Sequence, residues 1–256
     1  MVVSSSAVRD NIVDEAVRLI ESARQQDLML RALGGVAVSV HVGDAMRPSL
    51  AREIQDMDFV TPKDQGRSFQ SLLSREGYVP NTEFNRLHGA QRLIFVDDLH
   101  RRHIDVFVGT FEMCHVVPLS ERLKLEPVTV PLAELLMTKL QIVKLNRKDM
   151  ADVYALLLAH DMGDGDVETI NVSRIGQVAG ADWGLFHTID LNLARLRESS
   201  NEFELSTGDR GTIEARIGAL ADALERHPKS LRWNLRARVG ERMPWFEEPE
   251  EVVRQS

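Results

Sequence analysis

Apolar side chains recur along this chain with two periods, and the change from one to the other divides it. Residues 10–25 set Ile12, Val13, Ala16, Val17, Leu19, Ile20 and Ala23 at helical spacing, which predicts an opening amphipathic helix capped by Asp10. Leu28 to Leu33 reads as a short strand feeding a Gly34-Gly35 turn, with a helix expected from Ala37 to Val42 beyond it. Gln55 to Val60 alternates acidic and apolar residues, the period of a strand, and stops at Thr61-Pro62. Phe69, Leu72 and Leu73 predict a helix ending before Gly77, and Arg92 to Val96 with His103 to Val108 predict an antiparallel hairpin across Asp97-Asp98.

Past residue 130 the helical period takes over. Pro131 stands where the first turn of a helix favours proline, ahead of Leu132, Leu135, Leu136, Leu140 and Val143. A second helix is expected from about Arg147 to His160, with Met150, Val153, Tyr154 and Leu157 on one side. The remainder is helical in pattern, broken at Gly163-Asp164-Gly165, with little strand signal. The predicted fold class is therefore α+β: a mixed sheet flanked by helices over residues 1–130, then a mainly α-helical part over 131–256.

Composition changes this picture little. A content of 43% apolar and 27% charged residues in 256 is that of a globular chain. A formal charge of −8 gives no long-range attraction for polyanions, so a nucleic-acid partner would need a local basic patch. Arg226, Lys229, Arg232, Arg236, Arg238 and Arg242 form one such stretch, with Trp233 among them. Its ordinary reading is a helix that packs Leu231, Trp233 and Leu235 inward and leaves its arginines in water. The alternative is a surface for RNA or another anionic acceptor, with the acidic segment Glu247-Glu248-Pro249-Glu250-Glu251 as its neutralising neighbour. Cys114 is the single cysteine, which excludes an intrachain disulfide and a Cys-rich zinc site and fits a reducing compartment. Met1 to Ser6 lacks the basic start and apolar run of a secretory signal, and no apolar stretch approaches the ~18 residues of a membrane span. Cytoplasmic residence without a membrane partner is the expectation.

The candidate chemistry is carboxylate chemistry. On a strand, Asp56 and Asp58 point to one side, while Met57 and Phe59 face the core. Two carboxylates on one face repel each other unless a positive group lies between them, and a hard dication suits that need. Asp105 interrupts an otherwise apolar strand and supplies a third acid. Three such groups can hold two Mg2+ ions roughly 3.5–4 Å apart, and the third acid can also accept a proton. Singly, each acid reads as a solvated strand residue; the paired spacing and the later apolar context set these three apart. Gly34-Gly35 most often means only backbone freedom, but glycines before a helix also let N–H groups approach phosphate oxygens. The absence of G-x-x-x-x-G-K-[ST] and of a well-placed G-x-G-x-x-G counts against P-loop NTPases and dinucleotide dehydrogenases.

Leu33 to His41, Arg52 to Val60 and Ile104-Asp105-Val106 together resemble the polymerase-β-like nucleotidyltransferase superfamily, and within it the AbiE-type toxin and minimal nucleotidyltransferase groups. The resemblance continues at Lys139-Leu140 and at Arg147 to Asp152, covering residues 28–160 in all. It implies a nucleotidyltransferase-like fold and transfer of a nucleoside monophosphate from a nucleoside triphosphate to an acceptor hydroxyl, with release of pyrophosphate. The implied cofactor is Mg2+, two ions, with Mn2+ as substitute. Asp56, Asp58 and Asp105 would be the catalytic metal ligands, Asp105 also the base; Gly34 and Gly35 would hold the triphosphate, with Lys139 and Arg147 as further nucleotide contacts. The acceptor could come from small molecules, tRNA or proteins. Two features depart from the pattern: Gly35 stands where many members carry Ser, and the longer segment before Asp56 makes Arg47 and Pro48 read as an inserted loop.

Other basic residues have plainer readings. Lys144 and Lys148, with Lys139 and Arg147, fit a solvated helical face, and Asp149 and Asp152 fit local contacts to basic neighbours. His100, Arg101, Arg102 and His103 read as the polar edge of the hairpin, substrate contact being the lesser reading. Two rival functions stand beside the transferase: a catalytically silent nucleotide-binding or toxin–antitoxin interaction module, and a carboxylate-based metal phosphoesterase.

Overall fold

The computed structural model describes residues 8–248, and within them the chain folds as a mixed α+β structure. Met1 to Ser6, and Pro249 to Glu251 of the acidic segment, lie outside the described residues. The main sheet has five strands: β1 (Arg31–Ala32), β2 (Asp56–Thr61), β3 (Val79–Pro80), β4 (Arg92–Asp97) and β5 (Arg102–Val108), in the order β1-β2-β5-β4-β3. Only β2 and β5 run parallel; every other neighbouring pair is antiparallel. Helices α1 (Ile12–Arg24), α2 (Gly34–Val42), α3 (Gly66–Arg75) and α4 (Thr82–His88) accompany the sheet. After a small hairpin of β6 (Thr110–Glu112) and β7 (Val116–Pro118) come α5 (Leu132–Leu140) and α6 (Arg147–Ala159). A short parallel ladder, β8 (Asp161–Gly163) with β9 (Thr169–Asn171), precedes α7 (Val172–Ala181), α8 (Trp183–Ser199), α9 (Thr207–Arg226) and α10 (Leu231–Val239). Among the described residues no helix is long and apolar enough to cross a membrane.

Burial explains the strand pattern. Met57 and Phe59 on β2, Ile104 and Val106 on β5, and Leu93 and Phe95 on β4 are buried in one continuous core. That core extends through Leu135 and Leu136 of α5 to Tyr154 and Leu157 of α6, and α2 packs on both helices. The alternating half-buried residues of β2 and β5 occupy the other face of the sheet.

Several local expectations change. The cap of α1 is Asn11, whose side chain accepts from the amides of Val13 and Asp14, while the Asp10 carboxylate pairs with His100. The strand expected over Leu28 to Leu33 shrinks to β1, with Ala32 also bonded to Val128 and Val130. Helix α2 opens at Gly34 rather than Ala37, because an extended Leu33 and a left-handed Gly34 bring the chain directly into the helical path. Helix α5 ends at Leu140, short of Val143. The ladders β6–β7 and β8–β9 and helix α4 are three to seven residues long, too short for a period to register. The basic stretch departs most: Leu231 is 85% and Leu235 61% exposed, and Trp233 packs against Phe186.

One buried charged cluster ties α1 to the chain after α3. The carboxylate of Glu15, fully buried, accepts from Arg18 Nε at 2.8 Å and Nη2 at 2.7 Å, and from the Tyr78 hydroxyl. Arg18 also reaches Glu76 at 2.6 Å. Removing one partner of a buried pair strands the other without compensation. Glu15→Ala is therefore expected to lower the unfolding free energy by about 3 kcal/mol in urea denaturation; a loss below about 0.5 kcal/mol, the range of neutral surface changes, would show the cluster is not structural.

Candidate active site

The parallel register of β2 with β5 sets Asp58 opposite Asp105 and Asp56 opposite His103. Registered residues on neighbouring strands point to the same side, and alternate residues repeat that side, so these four side chains form a two-by-two patch. All four are half-buried, while Met57, Phe59, Ile104 and Val106 between them are sealed in the core.

The start of α2 closes on this patch from one side. The Leu33 amide donates to the Asp58 carbonyl at 2.7 Å, which pins the helix start to β2. Gly34 has φ +59°, and a Cβ there would lie 2.0 Å from Asp58 Oδ2. Both facts demand glycine: the backbone conformation is costly for other residues, and no space exists for a side chain. A Cβ on Gly35 would meet Arg52 Nη2 at 2.7 Å. No side chain caps α2, so its first amides are oriented as an anion-binding helix start, between a carboxylate and a guanidinium.

Behind Gly35 lies an ion-pair chain. Arg52 donates to both oxygens of Asp152, from Nε at 2.9 Å and Nη2 at 2.7 Å. Lys139 on α5 lies 2.8 Å from Asp152 and 3.1 Å from Asp149, both on α6. Burial alone would depress the Lys139 ammonium, but Asp152 and Asp149 outweigh it and hold it above its ordinary value. Burial pushes the Asp152 carboxyl up, and Arg52 and Lys139 more than reverse that. Asp58 has no such rescue. Burial first, then the charge of Asp105, push its carboxyl from 3.8 up to about 7. Lys139 pulls the other way more strongly than Asp56 adds to the push, and Arg92 adds a smaller pull, but the two cations do not reverse the rise.

Asp105 is held differently. Arg92 on β4 donates to both of its oxygens, from Nε at 2.8 Å and Nη2 at 2.9 Å, and its guanidinium lies over the rings of Phe84 and Phe107. Arg147, at the start of α6, turns to Glu202 and sits 4.2 Å from the Phe203 ring centroid. The structure thus brings Asp56, Asp58, Asp105, Gly34 and Gly35 to one place with Lys139 close behind, and directs Arg147 to other partners. Sequence reasoning gave no role to Arg92, quoted Arg52 only as context, and read His103 as part of the hairpin's polar edge with substrate contact as the lesser reading. The register picks out Arg92 and His103, since Arg92 shares the parity of Ile94, which pairs with Asp105, and His103 pairs with Asp56.

An Mg2+ ion would meet oxygen donors of the right kind here, and the raised Asp58 carboxyl is that of a group whose cationic neighbours, Lys139 and Arg92, do not offset its burial and the charge of Asp105. Among the described residues, however, no three His, Cys, Asp or Glu side chains converge as a finished metal cage. Arg92 donates to both oxygens of Asp105 and takes one acceptor position on each, so a metal ion at Asp105 would share those oxygens with the guanidinium.

No family model and no curated protein matches the chain. Among solved structures it is similar to the antibiotic-resistance factor ANT(2'')-Ia, with 15% identity and a TM-score of 0.41 over 65% of this chain and 92% of that one. It is also similar to an antigenic nucleotidyltransferase-like protein from Paracoccidioides brasiliensis, with 14% identity and a TM-score of 0.43 over 88% and 96%. A third likeness is to the STING-associated CdnE c-di-GMP synthase from Capnocytophaga granulosa, with 11% identity and a TM-score of 0.28 over 87% and 84%.

Two measurements follow from the geometry. Gly34→Ala combines a left-handed backbone with a clash on Asp58 and should cost about 3 kcal/mol, whereas Gly43→Ala, at φ +50° with nothing within 4 Å, should cost about 1 kcal/mol. Equal losses in the two variants would mean that the close approach to Asp58 does not matter. The folded protein also keeps a proton on Asp58 between about 4 and 7 that the unfolded chain has released, so this group lowers stability as pH rises through that window and adds no further slope above it. Urea denaturation at pH 5 and pH 8 should show a smaller decline for Asp58→Asn than for the wild type; identical declines would contradict the assignment.

Proposed function

We propose that the chain transfers a nucleoside monophosphate from a nucleoside triphosphate to an acceptor hydroxyl, with release of pyrophosphate. The observation that carries this reading is the contact of Gly34, at an uncapped helix start, with the carboxylate of Asp58, which stands in register with Asp105. A phosphate-binding backbone and a carboxylate patch meet at one point, as phosphoryl chemistry requires.

In this reading Gly34 and Gly35 lend their amides to the triphosphate, which needs close backbone approach. Arg52 and Lys139 supply positive potential behind them, and Asp152 fixes both in place. Bound at Asp56 and Asp58, Mg2+ or Mn2+ would supply charge neutralisation for the phosphates and lower the pKa of the attacking hydroxyl. The acceptor oxygen bonds to the α-phosphorus, the bond from that phosphorus to the bridging oxygen breaks, and pyrophosphate leaves with the electron pair. The hydroxyl proton passes to a carboxylate of the sheet face, Asp105 being the candidate, since each of its oxygens keeps an acceptor position beside the bond from Arg92. Catalysis then rests on positioning and electrostatics rather than on a covalent intermediate.

A second reading has one specific observation in its favour. The bidentate Arg92–Asp105 pair satisfies the third carboxylate within the protein, as a nucleotide-binding module without turnover would. The two readings separate in one assay, in which the protein is incubated with α-labelled triphosphates, Mg2+ and a crude extract of small molecules and RNA. Transfer of label to an acceptor supports the enzyme, binding without transfer supports the silent module, and release of unattached nucleotide supports a phosphoesterase. Asp56→Ala and Asp58→Ala should each reduce transfer by a factor on the order of a hundred or more while the far-ultraviolet circular dichroism is kept. Full activity in either variant would reject the assignment.

A further inference from the structure

The carboxylate face has two ends, and they differ. Beyond Asp105, Arg92 stacks over Phe84 and Phe107 and leaves a cavity of about 160 Å³. Beyond Asp56 the face opens into a cavity of about 550 Å³, bounded by the start of α1, residues 53–56 and the turn at 100–103. Only the second has the size of an ordinary small-molecule site.

The polar groups around this larger cavity are unequally committed. Both ring nitrogens of His100 are engaged, with Asp97 at 2.8 Å and Asp10 at 3.2 Å. The Arg102 guanidinium donates to the carbonyls of Arg9, at 2.7 Å, and of Asp10. His103 has no side-chain partner among the described residues, and its register opposite Asp56 sets its imidazole on the carboxylate face, one pleat from Asp105.

Building on the transferase reading above, we infer that the cavity at the Asp56 end is the acceptor side of the site, and that His103 hydrogen-bonds and orients the acceptor hydroxyl. The start of α2 closes on Asp58 and defines the triphosphate side. In-line transfer requires the acceptor to approach from a different direction, and the Asp56 end is the one with room. The three carboxylates of the face, when ionised, only accept hydrogen bonds, and each oxygen of Asp105 already accepts one from Arg92. An imidazole differs from an ionised carboxylate in carrying an N–H, so His103 can donate a hydrogen bond to the acceptor hydroxyl and, when neutral, can accept one as well.

The test uses the full chain, ATP labelled at its α-phosphate, Mg2+, and the extract fraction that the wild type labels. His103→Ala should raise the amount of that fraction needed for half-maximal labelling about tenfold, the effect of one lost hydrogen bond. Calorimetric binding of ATP with Mg2+ should stay within about twofold of wild type, because the nucleotide side is untouched. His103→Asn, which keeps a donor and an acceptor, should recover most of the loss and also controls for misfolding of the alanine variant. An unchanged half-maximal amount in His103→Ala overturns the inference, as does a loss of ATP binding that matches the loss of labelling, or an asparagine variant no better than alanine. A wild-type protein that labels nothing defeats the transferase reading itself and this inference with it, an outcome distinct from the others.

Discussion

The parallel pairing of β2 with β5 is the constraint from which the candidate site derives. A strand repeats its facing every second residue, so a slip of one position would bury Asp58 among core side chains or carry Met57 to the open face. The register is locked by the sealed side, where Met57 and Phe59 fit beside Ile104 and Val106, and Leu93 and Phe95 continue the layer on β4. The core therefore sets the chemistry: apolar packing on one side of the sheet places acids in register on the other. Parallel neighbours cannot be joined by a tight turn. The chain between β2 and β5 accordingly passes through α3, β3, α4 and β4, and on that route it acquires Arg92.

Charge then distinguishes the acids from one another. Asp152 and Asp149 are matched by Arg52 and Lys139, and Asp105 is matched by Arg92. Asp58 lies within the field of two cations without an ion pair to either and is repelled by two carboxylates, which is why burial raises its carboxyl to about 7. A half-buried carboxylate left at such a cost beside two other acids is a candidate for function, since such shifts concentrate where a ligand supplies what the protein withholds. The same logic separates Lys139 from Arg147. The former sits inside the network, and the latter covers Phe203 at the surface.

Much of this was legible along the chain. Period two identified β2, β4 and β5, period 3.6 identified α1, α3, α5 and α6, and the alternation of Asp56 and Asp58 with Met57 and Phe59 already gave their facing. What stayed hidden is what depends on register or on very short pieces. Arg92 and His103 acquire meaning only when β4 and β5 are aligned with β2, because no local pattern says which residue stands opposite Asp56. Segments such as β3 and β8 hold two or three residues, fewer than one period can mark. On α10, arginines alternate with leucines that stay in water, so the rule that leucine seeks the core predicted the wrong face.

The remaining question is what the Arg92–Asp105 pair does in a site of this kind, and packing gives a direction. A bidentate guanidinium–carboxylate pair is among the stronger hydrogen-bonded contacts, and this one is steadied by two rings. It is nevertheless partly open to water, with the two side chains 17% and 20% exposed, which screens it and keeps its opening affordable in comparison with a sealed pair. Opening would cost Arg92 its carboxylate and leave its ring contacts in place. A dication arriving beside Asp58 would offer the Asp105 oxygens a stronger partner than the arginine does. A cation bound beside Asp58 would therefore meet, at Asp105, a carboxylate already held by Arg92, and would share or contest its oxygens with the guanidinium.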